Sequence, residues 1–252
     1  MAADLAGLIV PGTPLLLPGV DRLEPEPLTH LRECVTAHLA GSDSWVVPLA
    51  STAVPPLLSL GGLGIDAGAR VRISRECGRV GPAELVTGPA LTEAVAGLDT
   101  ADAEHAASTS TAAVVATLLA ASAGAEVHLH AMGTGAAAPA HGIDCSAGPL
   151  LLPIDFSAAA HPDAPLAPRD GADAFDERLE QALTGPLDGA ELRALTVQAD
   201  RFAAELDPLG QVDPEGLRGA REAAVDVHRV RYRVIRLEAR ADGRLRPWRD
   251  RS

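Results

Sequence analysis

GPLLLPIDFSAAAHPDAPLAPRDGADAFDERLEQAL, residues 148–183, is the stretch that decides the fold. Leu150, Leu151, Leu152 and Ile154 form an apolar run of the kind that a strand buried on both faces requires. Asp155 and Ser157 then give it a polar end. A proline-rich loop follows, and Ala172–Leu183 spaces its apolar residues as one face of a helix. A buried strand, a polar end and a helix make one unit of an α/β sheet. In open sheets of this kind the carboxyl ends of the strands face the ligand crevice. Asp155 and Ser157 are therefore the leading candidates for a site.

Working outward, the same alternation recurs. Ala6–Val10 reads as a first strand stopped by Pro11-Gly12. Residues 27–40 place Leu28, Leu31, Val35 and Leu39 at helical spacing before Gly41, and residues 45–50 (WVVPLA) form a second strand. A turn-rich segment leads to residues 69–74, which alternate like a half-exposed strand. Residues 82–98 carry short helical patterns around Gly88-Pro89. Residues 100–123 predict one long helix with Ala112, Val115, Leu118 and Leu119 on one face, residues 126–132 a third strand, and residues 189–206 a further helix. The expectation is a single α/β domain over residues 1–217, a central mixed sheet flanked by helices on both faces. The segment 218–252 stands apart as an Arg-rich strand and tail. Within it, residues 225–237 predict one strand with an apolar and a basic face, solvated at a sheet edge.

The net charge of −13 is unevenly spread, with 11 arginines against 5 acidic residues from Arg218 onward and an acidic body before it. That body argues against a nucleic-acid or anionic-membrane surface. With aromatics at only 2% the core must be built from Ala, Val and Leu. Cys34, Cys77 and Cys145 are odd in number and form no CxxC, so neither a disulfide framework nor a zinc knuckle is indicated. The opening residues lack a basic segment and are broken by Pro11, Pro14 and Pro18, unlike a signal peptide or membrane span. A cytoplasmic protein is expected.

Four segments, taken in order, carry a resemblance. They are Val10-Pro11-Gly12-Thr13-Pro14-Leu15-Leu16 after the first strand, Ser51-Thr52 after the second, Glu104-His105, and Asp155-Phe156-Ser157-Ala158 after the late strand. Together over residues 5–210 they resemble the class III extradiol ring-cleavage dioxygenase family (LigB-like) and its Memo-like relatives. The resemblance implies that Gly12 stands where the family has a metal-binding His, with Thr13 beside it. Ser51 or Thr52 stands where a second such His would be, and Ala158 replaces the His that acts as base. It further implies that His105 is the one functional-type histidine retained, and that Asp155 and Ser157 still line a cleft.

Ring cleavage of this class needs a non-haem Fe(II) held by three nitrogen or oxygen ligands, with open positions for catechol and O₂. Gly12 offers no donor, and Ser51 or Thr52 offers a poor one. Ala158 removes the group that would take the catechol proton. The expectation is a non-catalytic, metal-free relative that keeps a cleft for a small molecule or a partner. Two alternatives stand beside it, an active Fe(II) oxygenase with non-standard ligands and a structural partner subunit or homo-oligomer. A separate metal site is conceivable at His128 and His130, alternate residues of one strand, completed by His141, Cys145 and Asp155. Ser157 has no Gly-x-Ser-x-Gly elbow, which argues against a hydrolase. Gly133-Thr134-Gly135 lacks the spacing of a phosphate loop and reads as a turn.

Overall fold

The computed structural model describes residues 5–17, 20, 26–51, 53–73, 80–131, 148–212 and 214–239. In chain order the elements are β1 (Leu5–Pro11), α1 (Glu26–Leu39), β2 (Ser44–Leu49), β3 (Leu57–Ser59), β4 (Gly68–Ile73), β5 (Val80–Val86), α2 (Gly88–Ala96), α3 (Thr100–Ser108) and α4 (Thr111–Ser122). They continue with β6 (Glu126–Ala131), β7 (Leu150–Ile154), α5 (Ala172–Leu183), β8 (Gly185–Pro186), α6 (Gly189–Gln198), β9 (Leu217–Val227) and β10 (Val230–Ala239). Seven strands form a mixed sheet in the order β6-β2-β7-β1-β10-β9-β8, while β3, β4 and β5 make a small antiparallel sheet. β6, β2, β7 and β1 run parallel, and β10, β9 and β8 add antiparallel pairings beyond β1.

Alternate residues of β1 point to opposite faces of the sheet and enter different cores. Leu8 and Val10 join Leu28, Leu31 and Val35 of α1 and Val115 and Leu118 of α4. Ile9 joins Phe175 and Leu179 of α5 and Leu192 and Leu195 of α6. Helices therefore cover both faces, as expected from the buried run at residues 150–154. α4 is buried along Ala112–Ala120, and Thr117 satisfies its hydroxyl on the Ala113 carbonyl at 2.8 Å. Its alanines let the helix lie close against the strand ends.

Four expectations are corrected. The long helix over residues 100–123 is two helices, because Ser110 leaves helical geometry and its Oγ accepts from the Ala113 amide at 3.2 Å. A serine that bonds its own helix start competes with helix continuation. Residues 82–86 belong to strand β5, paired with β4, and are not helical. The helix expected to reach residue 206 stops at Gln198 and gives way to a 3₁₀ turn, Ala199–Phe202, after which Ala203 takes a positive φ of 53°.

The fourth correction concerns the basic strand. Residues 225–237 are two strands joined at His228-Arg229, and β10 lies inside the sheet between β1 and β9. Its arginines do not guard an edge. Arg233, only 7% exposed, donates to Glu180 at 2.9 Å and Asp226 at 2.7 Å, and Arg231 donates to Asp173 at 2.5 Å. α5 supplies Glu180 and Asp173, so the acidic helix neutralises the basic strand. No described helix is long and apolar enough to cross a membrane.

Leu151 is fully buried in this arrangement, whereas Leu63 is 57% exposed. Leu151→Ala is expected to cost about 2–5 kcal/mol in urea unfolding. Leu63→Ala should stay within about 0.5 kcal/mol of the parent.

Candidate functional site

The chain leaves β1 through α1, packed on one face, to reach β2. It leaves β7 through α5, on the other face, to reach β8. β1 and β7 are neighbours whose connections depart in opposite directions, the switch point at which α/β sheets place their crevice. Parallel pairing of Pro11 with Ile154 brings Gly12 beside Asp155. The Gly12 amide donates to the Ile154 carbonyl at 3.2 Å and to Asp155 Oδ1 at 2.9 Å.

The end of β1 is closed from above by α4. A Cβ added to Gly12 would lie 2.2 Å from the Ala112 Cβ and 3.0 Å from Asp155 Oδ2. No side chain fits there without displacing the helix. Ser110, which starts α4, also donates its hydroxyl to Glu205. Glu205 is held by a two-way backbone bridge with Asp155, both N–H···O distances being 3.0 Å. Tyr232 of β10, the only tyrosine in the chain, adjoins Thr13 and Asp155. Gly12, Thr13, Ser110, Asp155, Glu205 and Tyr232 thus form one cluster.

Burial first, and then Glu205, push the Asp155 carboxyl up to about 7 against the opposing Gly12 amide. Burial also raises Glu205, against the Ser110 hydroxyl, which favours its ionised form. Burial and then Asp155 raise the Tyr232 phenol. A carboxyl whose surroundings raise it to about 7, as at Asp155, could exchange a proton with a bound group. Access is narrow. The adjoining hollow, lined by Pro48, Ser51, Ser110, Ala113, Asp207 and Pro208, has a volume of about 10 Å³, room for roughly one water.

The other expected positions are distributed unevenly. Ser51 borders this hollow, but its hydroxyl donates to the Ala53 carbonyl at 2.8 Å. Thr52 lies outside the described residues. His105 sits on α3, and its carbonyl, not its ring, is engaged, accepting from the Ser108 and Thr109 hydroxyls at 3.0 Å. Ser157 is fully buried; it donates to the Phe202 carbonyl at 2.5 Å and accepts from the Ala159 amide at 3.0 Å. Its own amide donates to Asp176 Oδ1 at 2.9 Å. Ser157 thus braces the loop and turns away from any opening. Ala158 lies in the same braced loop, its amide donating to the Ala203 carbonyl at 3.3 Å.

Fe(II) does not fit these residues. Gly12 and Ala158 bring no donor, Gly12 has no room for one, and what remains at the strand ends is two carboxyls, Asp155 and Glu205, with no imidazole beside them. Of the second possible metal site, His141 and Cys145 lie outside the described residues. His128 is paired with Glu126 at 3.6 Å on β6, which β2 separates from β7 and Asp155. Among the described residues no three His, Cys, Asp or Glu side chains are grouped to hold a metal.

Glu205 and Tyr232 escaped sequence reasoning. Glu205 fell inside an apparent helix, and Tyr232 on the apolar side of the tail. Only the singularity of the tyrosine and the Pro208 that follows Glu205 gave any signal. A comparison with protein-family models finds no match to this chain, and a comparison with curated proteins finds none either.

Gly12→Ala is expected to destabilise the fold by about 1–3 kcal/mol. Ala112→Gly should recover part of that loss, so a double-mutant cycle on urea unfolding reports a coupling between the two positions. The raised Asp155 pKa also gives a sign to pH dependence. The folded chain holds this proton more tightly than the unfolded chain does, so the stability it brings is complete below about pH 4 and is lost up to about pH 7. Unfolding midpoints measured from pH 4 to 8 should fall, and Asp155→Asn should make that fall smaller.

Proposed function

We propose that the chain is a metal-free relative of the class III extradiol dioxygenases of the LigB-like kind, one that acts by binding and not by ring cleavage. The observation that carries this reading is the closure at Gly12. The position where the resemblance calls for an imidazole is filled by Ala112 of α4 and faced by Asp155. An imidazole there would need the helix to retreat by more than a side-chain adjustment. In its place the strand ends are tied together by carboxyl and hydroxyl groups, and the hollow beside them is too small for a catechol.

The strand-end cluster supports a structural seal over the switch point more than a turnover site. On this reading the outer surface, with a small molecule or a partner chain as occupant, carries the function. Purified protein is expected to hold iron and zinc far below one atom per chain by elemental analysis. After anaerobic reconstitution with Fe(II) it should show no oxygen uptake with catechols. Stoichiometric metal, or catechol-dependent oxygen uptake, would reinstate an oxygenase with non-standard ligands.

A further inference from the structure

A second cleft lies away from the carboxyl cluster, where the β9–β10 turn meets the loop after β7 and the first turn of α5. It has a volume of about 370 Å³, within the range of small-molecule sites. Its polar lining is His161, Asp173, Asp226, His228, Arg229 and Arg231. We propose that this cleft binds a small organic phosphate, of the size of a sugar phosphate, with Arg229, His228 and His161 holding the phosphoryl group.

Unshared donors favour an anion. Asp173 is paired with Arg231 at 2.5 Å, and Asp226 with Arg233 at 2.7 Å, which Glu180 shares at 2.9 Å. Glu177 and Glu180 also face Arg231, at 4.0 and 3.9 Å. His228 and Arg229 are exposed and enter no hydrogen bond or ion pair among the described residues. His161 lies 3.7 Å from Asp163 Oδ2, and its Nδ1 accepts the Asp163 amide at 3.1 Å. With Nδ1 so occupied, Nε2 carries the hydrogen and is a donor. Among the described residues the cleft is left with a guanidinium and imidazole donors that have no acceptor, while the rim carboxylates can accept from ligand hydroxyls. Guanidinium and imidazole donors lining one cleft suit a phosphoryl group. The lining is too compact and the body too acidic for a nucleic-acid track.

Backbone geometry points the same way. His228 and Arg229 are the two central residues of the hairpin turn between paired Val227 and Val230, with φ of 49° and 60°. Positive φ at both positions is the type I′ turn, in which Asn-Gly is favoured and larger side chains are strained. Both strained residues line the cleft, the placement in which backbone strain accompanies function.

The test is calorimetric titration of the full chain with inorganic phosphate and with glucose 6-phosphate, against chloride at matched ionic strength. Wild-type protein should bind both saturably, and glucose 6-phosphate the tighter. Arg229→Gln should weaken both by about tenfold or more, the loss of one charged hydrogen bond. The double variant H228N/R229G installs the favoured turn, so it should lose binding while its melting temperature rises. Absence of saturable binding by wild type, or wild-type affinity in either variant, overturns the proposal.

Discussion

The fold turns on the pairing of β1 with β7 at its carboxyl end, where one amide, that of Gly12, meets two acceptors on the neighbouring strand. This contact brings α4 within van der Waals range of the backbone, an approach that a side chain at position 12 would block against Ala112. The approach then places Ser110 over Glu205, and Glu205 against Asp155. A small-residue contact of this kind fixes the cluster without any large side chain. It also explains how a chain with so few aromatics packs its sheet, since alanine-rich α4 can lie flat on the strands.

Much of this architecture was legible in the residues. The apolar runs that became β1, β2, β6 and β7 and the periodic runs that became α1 and α5 were strong because burial dictates them on both faces of the sheet. Breaks were harder to see. Ser110 and Ala203 interrupt helical patterns through local bonds or backbone conformation, and hydrophobic spacing carries no trace of either. The basic segment misled for a physical reason: alternating arginines suggest solvent, but here acids on α5, far away in sequence, pair with them.

The site divides in the same way. Gly12, Thr13, Ser51 and Asp155 gather at one end of the sheet because they follow the carboxyl ends of adjacent parallel strands, a relation that order along the chain implies. Glu205 and Tyr232 arrive from segments whose pairing is long-range, so no spacing rule could place them. Ser157 illustrates the opposite hazard. Its type and position suggested chemistry, while its hydroxyl is consumed by backbone groups of its own loop and of Phe202.

The interior place of β10 has a bearing on how the chain matures. Ile9 pairs with Ile235, more than two hundred residues later, so β1 keeps one flank open until β10 has emerged. Such distant closure slows folding and leaves an unpaired edge on which nascent copies can stick to one another. The acidic body, which keeps those copies apart by mutual repulsion, offsets that hazard during synthesis.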